Sequence, residues 1–287
     1  MRTSLRLTLT AGLVLTAFSS PLLANDDAEW STDRVDDAWA ERALANPDMD
    51  RGWCSHSNDG KPTHHEVREF SYPRGAKPIA IDGGVNGGMT VMGGERDGVR
   101  ILYRITARAS TEDRARALTP QVQLELKDGW LRPSGPETSR GESWSVEIKA
   151  WVPRASNLVL KTYNGPLGLR GVRGTMDLNS TNGPVSLEEL GGAVQAHTEN
   201  GPLHVGLSGS HWGGTGLDAE AVNGPVNLEI PAGYSARLIT GSINGPQAYD
   251  DAIEPRRSGT WSRTTLGKGG PVVRVVTTNG PFQIGYR

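Results

Sequence analysis

The stretch Leu158-Val-Leu-Lys-Thr-Tyr-Asn-Gly-Pro-Leu-Gly-Leu-Arg170 returns in altered form twice. It becomes Met176-Asp-Leu-Asn-Ser-Thr-Asn-Gly-Pro-Val-Ser-Leu-Glu188 and then Val194-Gln-Ala-His-Thr-Glu-Asn-Gly-Pro-Leu-His-Val-Gly206. Asn-Gly-Pro begins at Asn164, Asn182, Asn200, Asn223, Asn244 and Asn279, and the variant Asn-Gly-Gly begins at Asn86. From Asn164 onward the intervals are 18, 18, 23, 21 and 35 residues, which marks a repeating unit with insertions.

Aligning the units on Asn shows which side chains turn inward. Three residues after Asn stand Leu167, Val185, Leu203, Val226, Gln247 and Phe282; five after stand Leu169, Leu187, Val205, Leu228, Tyr249 and Ile284. Gly168, Ser186, His204, Asn227, Ala248 and Gln283 fall between them, so apolar and small or polar positions alternate as in a strand with one buried face. Four before Asn the column is again largely apolar, and two before it is Thr162, Ser180, Thr198, Ala221, Ser242 and Thr277. Small inward residues therefore lie nearest the bend.

Asn and Gly both tolerate the positive φ of a sharp corner, and the following Pro opens a strand where its missing N–H does least harm. Stacked units would share one core, and stacked Asn amides would bond along the axis. The expectation is an all-β chain folded as a parallel β-solenoid, a β-helix or β-roll with coils of about 18 residues. Its structural corners would be Asn86, Asn164 and Gly165, Asn182 and Gly183, Asn200 and Gly201, Asn223 and Gly224, Asn244 and Gly245, and Asn279 and Gly280. Antiparallel Asn-Gly hairpins are the competing reading, and they would lose a ladder donor at every Pro.

Outside the repeats the signals are mixed. Ile79 to Val91 reads as a first coil around Asn86, and an irregular insertion follows over about 99–156. Within it Val99 to Ala107, Val122 to Leu126 and Trp144 to Val152 read as strands. Thr111 caps a short helix that stops before Pro120. Residues 25–78 are polar, with one helical run near Asp36 to Leu44, and read as an N-terminal cap or arm. The solenoid is expected over 79–287, with its regular coils from 157 onward.

The first residues speak to compartment. Arg2 and Arg6 precede an apolar run from Leu7 to Phe18, and Leu22-Leu23-Ala24 offers a cleavage site, so residues 1–24 read as a secretory signal. The run is too short for a spanning helix. A periplasmic or secreted location follows. The 32 acidic and 30 basic residues form no basic block, which argues against nucleic acid as a partner. The composition of 37 Gly with only 3 Phe suits many tight turns around a thin aliphatic core.

The corner segments, with Trp144-Ser-Val, Val152-Pro-Arg, Leu217-Asp-Ala-Glu and Pro231-Ala-Gly-Tyr-Ser-Ala-Arg-Leu238, resemble a family of bacterial adhesin-like proteins built on β-strand repeats. The resemblance covers roughly Val67 to Ile284. It implies a parallel β-helix or roll in an exported or envelope protein, with no established catalytic residues. Two features depart from the family pattern. Pro follows Asn-Gly where the family usually has Gly or Asp, and His65 stands where relatives carry a second Cys before Glu66-Val-Arg-Glu69. Cys54 is thus without a partner.

Chemistry-bearing groups are sparse. Cys54, His56, His64 and His65 have metal-ligand residue types at spacings that fit no common zinc site, so no metal is expected. Asp177 and Asp218 both lie five before an Asn and form the nearest approach to the paired carboxylates of a polysaccharide hydrolase or lyase. Trp212 and Trp261, in the longer returns, are the candidate binding-loop aromatics. The reading is a non-enzymatic, cofactor-free, adhesin-like interaction scaffold of the envelope. Its partner would be an envelope protein, a glycan or a second copy. The alternatives are a polysaccharide-acting enzyme and an accessory protein of a membrane system.

Overall fold

A computed structural model describes residues 60–73, 77–258 and 260–287. The expected signal segment, the helical run at 36–44, Cys54 and His56 lie outside the described residues. Strands β1 (Thr63–Pro73), β2 (Ile79–Asp82), β3 (Met89–Gly94) and β4 (Gly98–Arg108) precede helix α1 (Glu112–Leu118). After it come β5 (Gln123–Lys127), β6 (Trp130–Ser134) and β7 (Ser143–Pro153). The repeats supply β8 (Leu158–Asn164), β9 (Leu167–Arg170), β10 (Arg173–Asn182), β11 (Val185–Glu188), β12 (Gly191–Asn200) and β13 (Leu203–Gly206). Next are β14 (Gly216–Asn223), β15 (Val226–Ile230), β16 (Ala236–Asn244) and β17 (Gln247–Tyr249). The last are β18 (Arg256–Ser258), β19 (Trp261–Leu266), β20 (Val272–Asn279) and β21 (Phe282–Tyr286).

These strands form two sheets. One has ten strands in the order β1-β4-β7-β3-β9-β11-β13-β15-β21-β17, and the other has eleven in the order β18-β19-β16-β20-β14-β12-β10-β8-β2-β6-β5. Pairing is parallel through the middle of each sheet. It is antiparallel where β1, β4 and β7 meet, between β5 and β6, and where β16, β19 and β18 meet. The parallel β-solenoid expected from the repeats is therefore corrected to two large mixed sheets packed face to face as a sandwich, not a closed solenoid. The physical reason is that period-2 alternation reports one buried face per strand and says nothing of strand direction, and a sandwich meets that requirement equally well.

Each Asn-Gly-Pro corner carries the chain from one sheet to the other, as from β8 to β9, so the corners are not antiparallel hairpins. The inward residues of both sheets form a single core, including Leu160, Leu178 and Val275 before the corner and Leu167, Val185 and Phe282 after it. Val146, Ile148, Ala150 and Val152 of β7 enter the same core. Helix α1 forms because Thr111 caps it, its Oγ1 accepting from the Arg114 amide at 3.2 Å. It packs Ala115 and Leu118 against Ala107 and Ala109.

The stacking order departs from chain order. β20 lies between β14 and β16, and β21 lies between β15 and β17, so the Asn279 unit enters ahead of the Asn244 unit. The core explains which unit ends the stack: Phe282 and Ile284 are fully buried, whereas Gln247 and Tyr249 are only half-buried. The less apolar unit takes the outer position, where less surface is removed from water. Thr63–Pro73, read from sequence as part of a polar arm, pairs as β1 along the whole of β4.

Candidate binding surface

The seven corner asparagines fall in register along one edge of the molecule. Their amides form a chain of hydrogen bonds in which Asn164 Nδ2 donates to Asn86 Oδ1 at 3.2 Å, Asn182 to Asn164 at 2.9 Å and Asn200 to Asn182 at 2.9 Å. It continues with Asn223 donating to Asn200 at 3.0 Å, Asn279 to Asn223 at 2.8 Å and Asn244 to Asn279 at 2.8 Å. Every bond runs in the same sense, with the donor side toward Asn86.

The glycines beside them have no room for a side chain. A Cβ on Gly183 would meet the Gly165 carbonyl oxygen at 2.2 Å, and one on Gly201 would meet that of Gly183 at 2.2 Å. Gly224 and Gly245 are as tightly placed, against the carbonyls of Gly201 and Gly280 at 2.1 Å. Inside the bend, hydroxyls two residues before Asn turn to these carbonyls: Thr162 Oγ1 donates to Gly87 O at 2.7 Å, and Thr277 Oγ1 to Gly224 O at 2.9 Å. That is why small hydroxylated residues occupy this column. The exceptions are Ala221, which has no hydroxyl, and Ser180, whose buried Oγ has no partner among the described residues.

The outer face of the eleven-stranded sheet carries rows of polar side chains. Asp177 stands in register with Gln195, Gln195 with Asp218, and Asp218 with Arg274. Two strand spacings put Asp177 and Asp218 about 10 Å apart. The two carboxylates have different surroundings. Asp177 accepts from Asn179 Nδ2 at 2.8 Å, while Arg274 donates to Asp218 at 2.6 Å and to Glu220 at 2.9 Å. Burial alone would lower the Arg274 pKa, but the hydrogen bonds and charges of Asp218 and Glu220 outweigh it and hold the guanidinium above its ordinary value.

The two candidate tryptophans part company. Trp261 is half-buried with the Arg274 guanidinium 5.6 Å from its ring centroid, so it belongs to this polar face. Trp212 is only 3 % exposed and donates its indole N–H to Gly192 O at 2.9 Å. It fills the core, and no ring face is left for a ligand. Neither sequence motif nor alternation separates these two cases; Tyr163, 52 % exposed immediately before Asn164, is the outward aromatic that the column alignment contained. His64 and His65 are successive residues of β1 and project to opposite faces, bonding through Nδ1 to Thr119 Oγ1 and Thr106 Oγ1 respectively, each at 3.0 Å.

A second feature went unread in the sequence. Where the antiparallel β4–β7 pair meets the asparagine edge there is an open pocket of ≈ 450 Å³, lined among others by Asn86, Asn164, Arg108, Ser143 and Trp144. Its walls come from separate chain segments spread between Asn86 and Gly183, so no local pattern signals it.

No family model and no curated protein matches this chain. Among solved structures it is similar to "a putative cell adhesion protein" from Clostridium sporogenes, at 12 % identity and a TM-score of 0.39, covering 78 % of this chain and 100 % of that one. It is also similar to "a putative adhesin" from Parabacteroides merdae, at 15 % identity and a TM-score of 0.33, covering 78 % and 96 %. A third is a "putative lipid binding protein" from Parabacteroides distasonis, at 11 % identity and a TM-score of 0.32, covering 77 % and 97 %. The class that the fold and surface define is an all-β protein of two facing mixed sheets with a stacked asparagine edge. Among the described residues no helix is long and apolar enough to cross a membrane.

Proposed function

We propose that this chain is an exported, non-enzymatic, adhesin-like interaction scaffold of the cell envelope. The observation that supports this reading is the fixed array of outward side chains. Strands in register repeat their polar columns at the inter-strand spacing of about 4.8 Å, and a rigid array of that kind suits an extended partner better than a small substrate. The state of the carboxylates points the same way. Asp218 is matched by Arg274, and Asp177 lies beyond the separation usual for paired carboxylates in glycoside hydrolysis.

Capture of envelope material by the immobilised full-length mature chain tests the reading, together with a panel of polysaccharides assayed for released sugar. Specific retention of an envelope component and no release are expected. Turnover by the wild type that disappears in Asp177→Asn or Asp218→Asn would overturn the scaffold reading in favour of a polysaccharide-acting enzyme.

A further inference from the structure

The six amide bonds of the asparagine edge share one direction, so their dipoles add and polarise one another. One end of such a chain must be a donor and the other an acceptor. Asn86 is the donor end: its Oδ1 accepts from Asn164, and among the described residues its own Nδ2 donates to none. That end opens into the pocket of ≈ 450 Å³ beside β4 and β7.

The same pocket holds a cation without a matching anion. Arg108 forms no ion pair among the described residues, and the nearby Glu147 carboxylate is engaged by Arg104 Nε at 2.6 Å. Arg108 stands opposite Ser143 in the β4–β7 register, two residues from Ser145, so hydroxyls flank the guanidinium. The remaining wall mixes polar Thr106, Asn164 and Asn182 with glycines and Pro166. Trp144 follows Ser143 on β7 and turns to the opposite face, where it packs against the core and donates its indole N–H to Pro136 O at 2.9 Å, so it offers the pocket no stacking ring.

We propose that this pocket binds the carboxylate of an acidic saccharide, a pyranose unit carrying a uronate or sialate group. The carboxylate would face Arg108 and the Asn86 amide, which together supply charge and a polarised N–H. The hydroxyls of the ring would meet Ser143 and the asparagine amides, groups that both donate and accept. A neutral sugar satisfies the hydroxyl contacts alone and leaves Arg108 unpaired. This proposal rests on the scaffold reading and names its ligand.

Calorimetric titration of the mature chain with oligogalacturonate, 3′-sialyllactose and neutral maltotriose tests it. One or both acidic sugars should bind at least ten-fold more tightly than the neutral one, with an affinity that falls as salt rises. Which of the two binds identifies the source of the carboxylate. Arg108→Gln should lose that preference ten-fold or more with an unchanged melting curve, and Asn86→Ala should weaken binding a few-fold. Equal affinity for neutral and acidic sugars, no binding of either acidic sugar, or full acidic binding by Arg108→Gln would overturn it. Envelope capture by the same preparations separates the two ideas: capture that persists without acidic-sugar binding sinks this site alone, and loss of all capture sinks the scaffold reading.

Discussion

Gly183 sits so close under Gly165 that a Cβ on Gly183 would lie 2.2 Å from the Gly165 carbonyl oxygen. The obstacle is the backbone of the neighbouring repeat, which cannot rotate aside as a flexible side chain would. The φ of 151° adds a second cost, since L side chains rarely adopt it. Gly183→Ala and Gly201→Ala should each lower stability by about 2 kcal/mol or more. Gly285→Ala is the control, because nothing lies within 4 Å of its would-be Cβ. Denaturant midpoints should fall for the first two and hold or rise slightly for the third. Equal behaviour of all three would show that the corners are not this tightly stacked.

The asparagine edge makes a graded prediction. Asn200 donates to Asn182 and accepts from Asn223, whereas the Asn244 amide, at the acceptor end, makes only the bond to Asn279 among the described residues. Asn200→Ala should cost about 1–2 kcal/mol and Asn244→Ala about half as much. Chemical denaturation of both variants decides it.

Tyr234 supplies a pH signature. Its side chain is buried, and that burial pushes the phenol from 10.0 up to about 12. Below pH 10 the folded and unfolded states both keep the proton, and the contribution to stability is complete. Between pH 10 and 12 the unfolded state releases its proton first, so stability falls as pH rises. The difference is worth about 2–3 kcal/mol. In Tyr234→Phe the loss of stability between pH 9 and pH 11.5 should be correspondingly smaller. Part of the loss will remain, because burial also raises Tyr103.

Trp212 and Trp261 should respond in opposite ways. Trp212→Ala empties a core position and orphans the Gly192 carbonyl, at a cost of about 3–5 kcal/mol. Trp261→Ala removes a half-buried ring stacked on Arg274 and should cost about 1 kcal/mol or less. Thermal melts distinguish them. A larger effect at Trp261 would reverse the assignment of core and surface.

Export is checked by mass. Protein recovered from the periplasm or the medium should begin at Asn25, because the charged start, apolar run and Ala24 stand in the order a signal peptidase reads. A chain retained in the membrane with Met1 intact would refute it.

By itself the sequence determined what is local. The alternation at Leu167-Gly168-Leu169 and its counterparts marks the buried face, the Asn-Gly-Pro triplets mark the bends, and Thr111 marks a helix start. Lys127-Asp-Gly-Trp130 carried an equally local signal, the two-residue turn between β5 and β6, that the reading of this region passed over. Each of these depends on residues a few positions apart. Only the tertiary structure decided which strands pair. Repeats with similar edges are interchangeable neighbours, so insertion of β20 between β14 and β16 follows from burial of Phe282 and Ile284 and the path of the intervening residues, not from order along the chain. Direction was hidden for the same reason: alternation is identical in parallel and antiparallel strands, and the β1–β4–β7, β5–β6 and β16–β19–β18 margins turned out antiparallel while β21–β17 stayed parallel. The pocket at Asn86 was hidden most completely. It exists because the β4–β7 pair folds back beside the first asparagine corners, bringing Arg108 and Ser143 to groups from which the chain separates them by tens of residues.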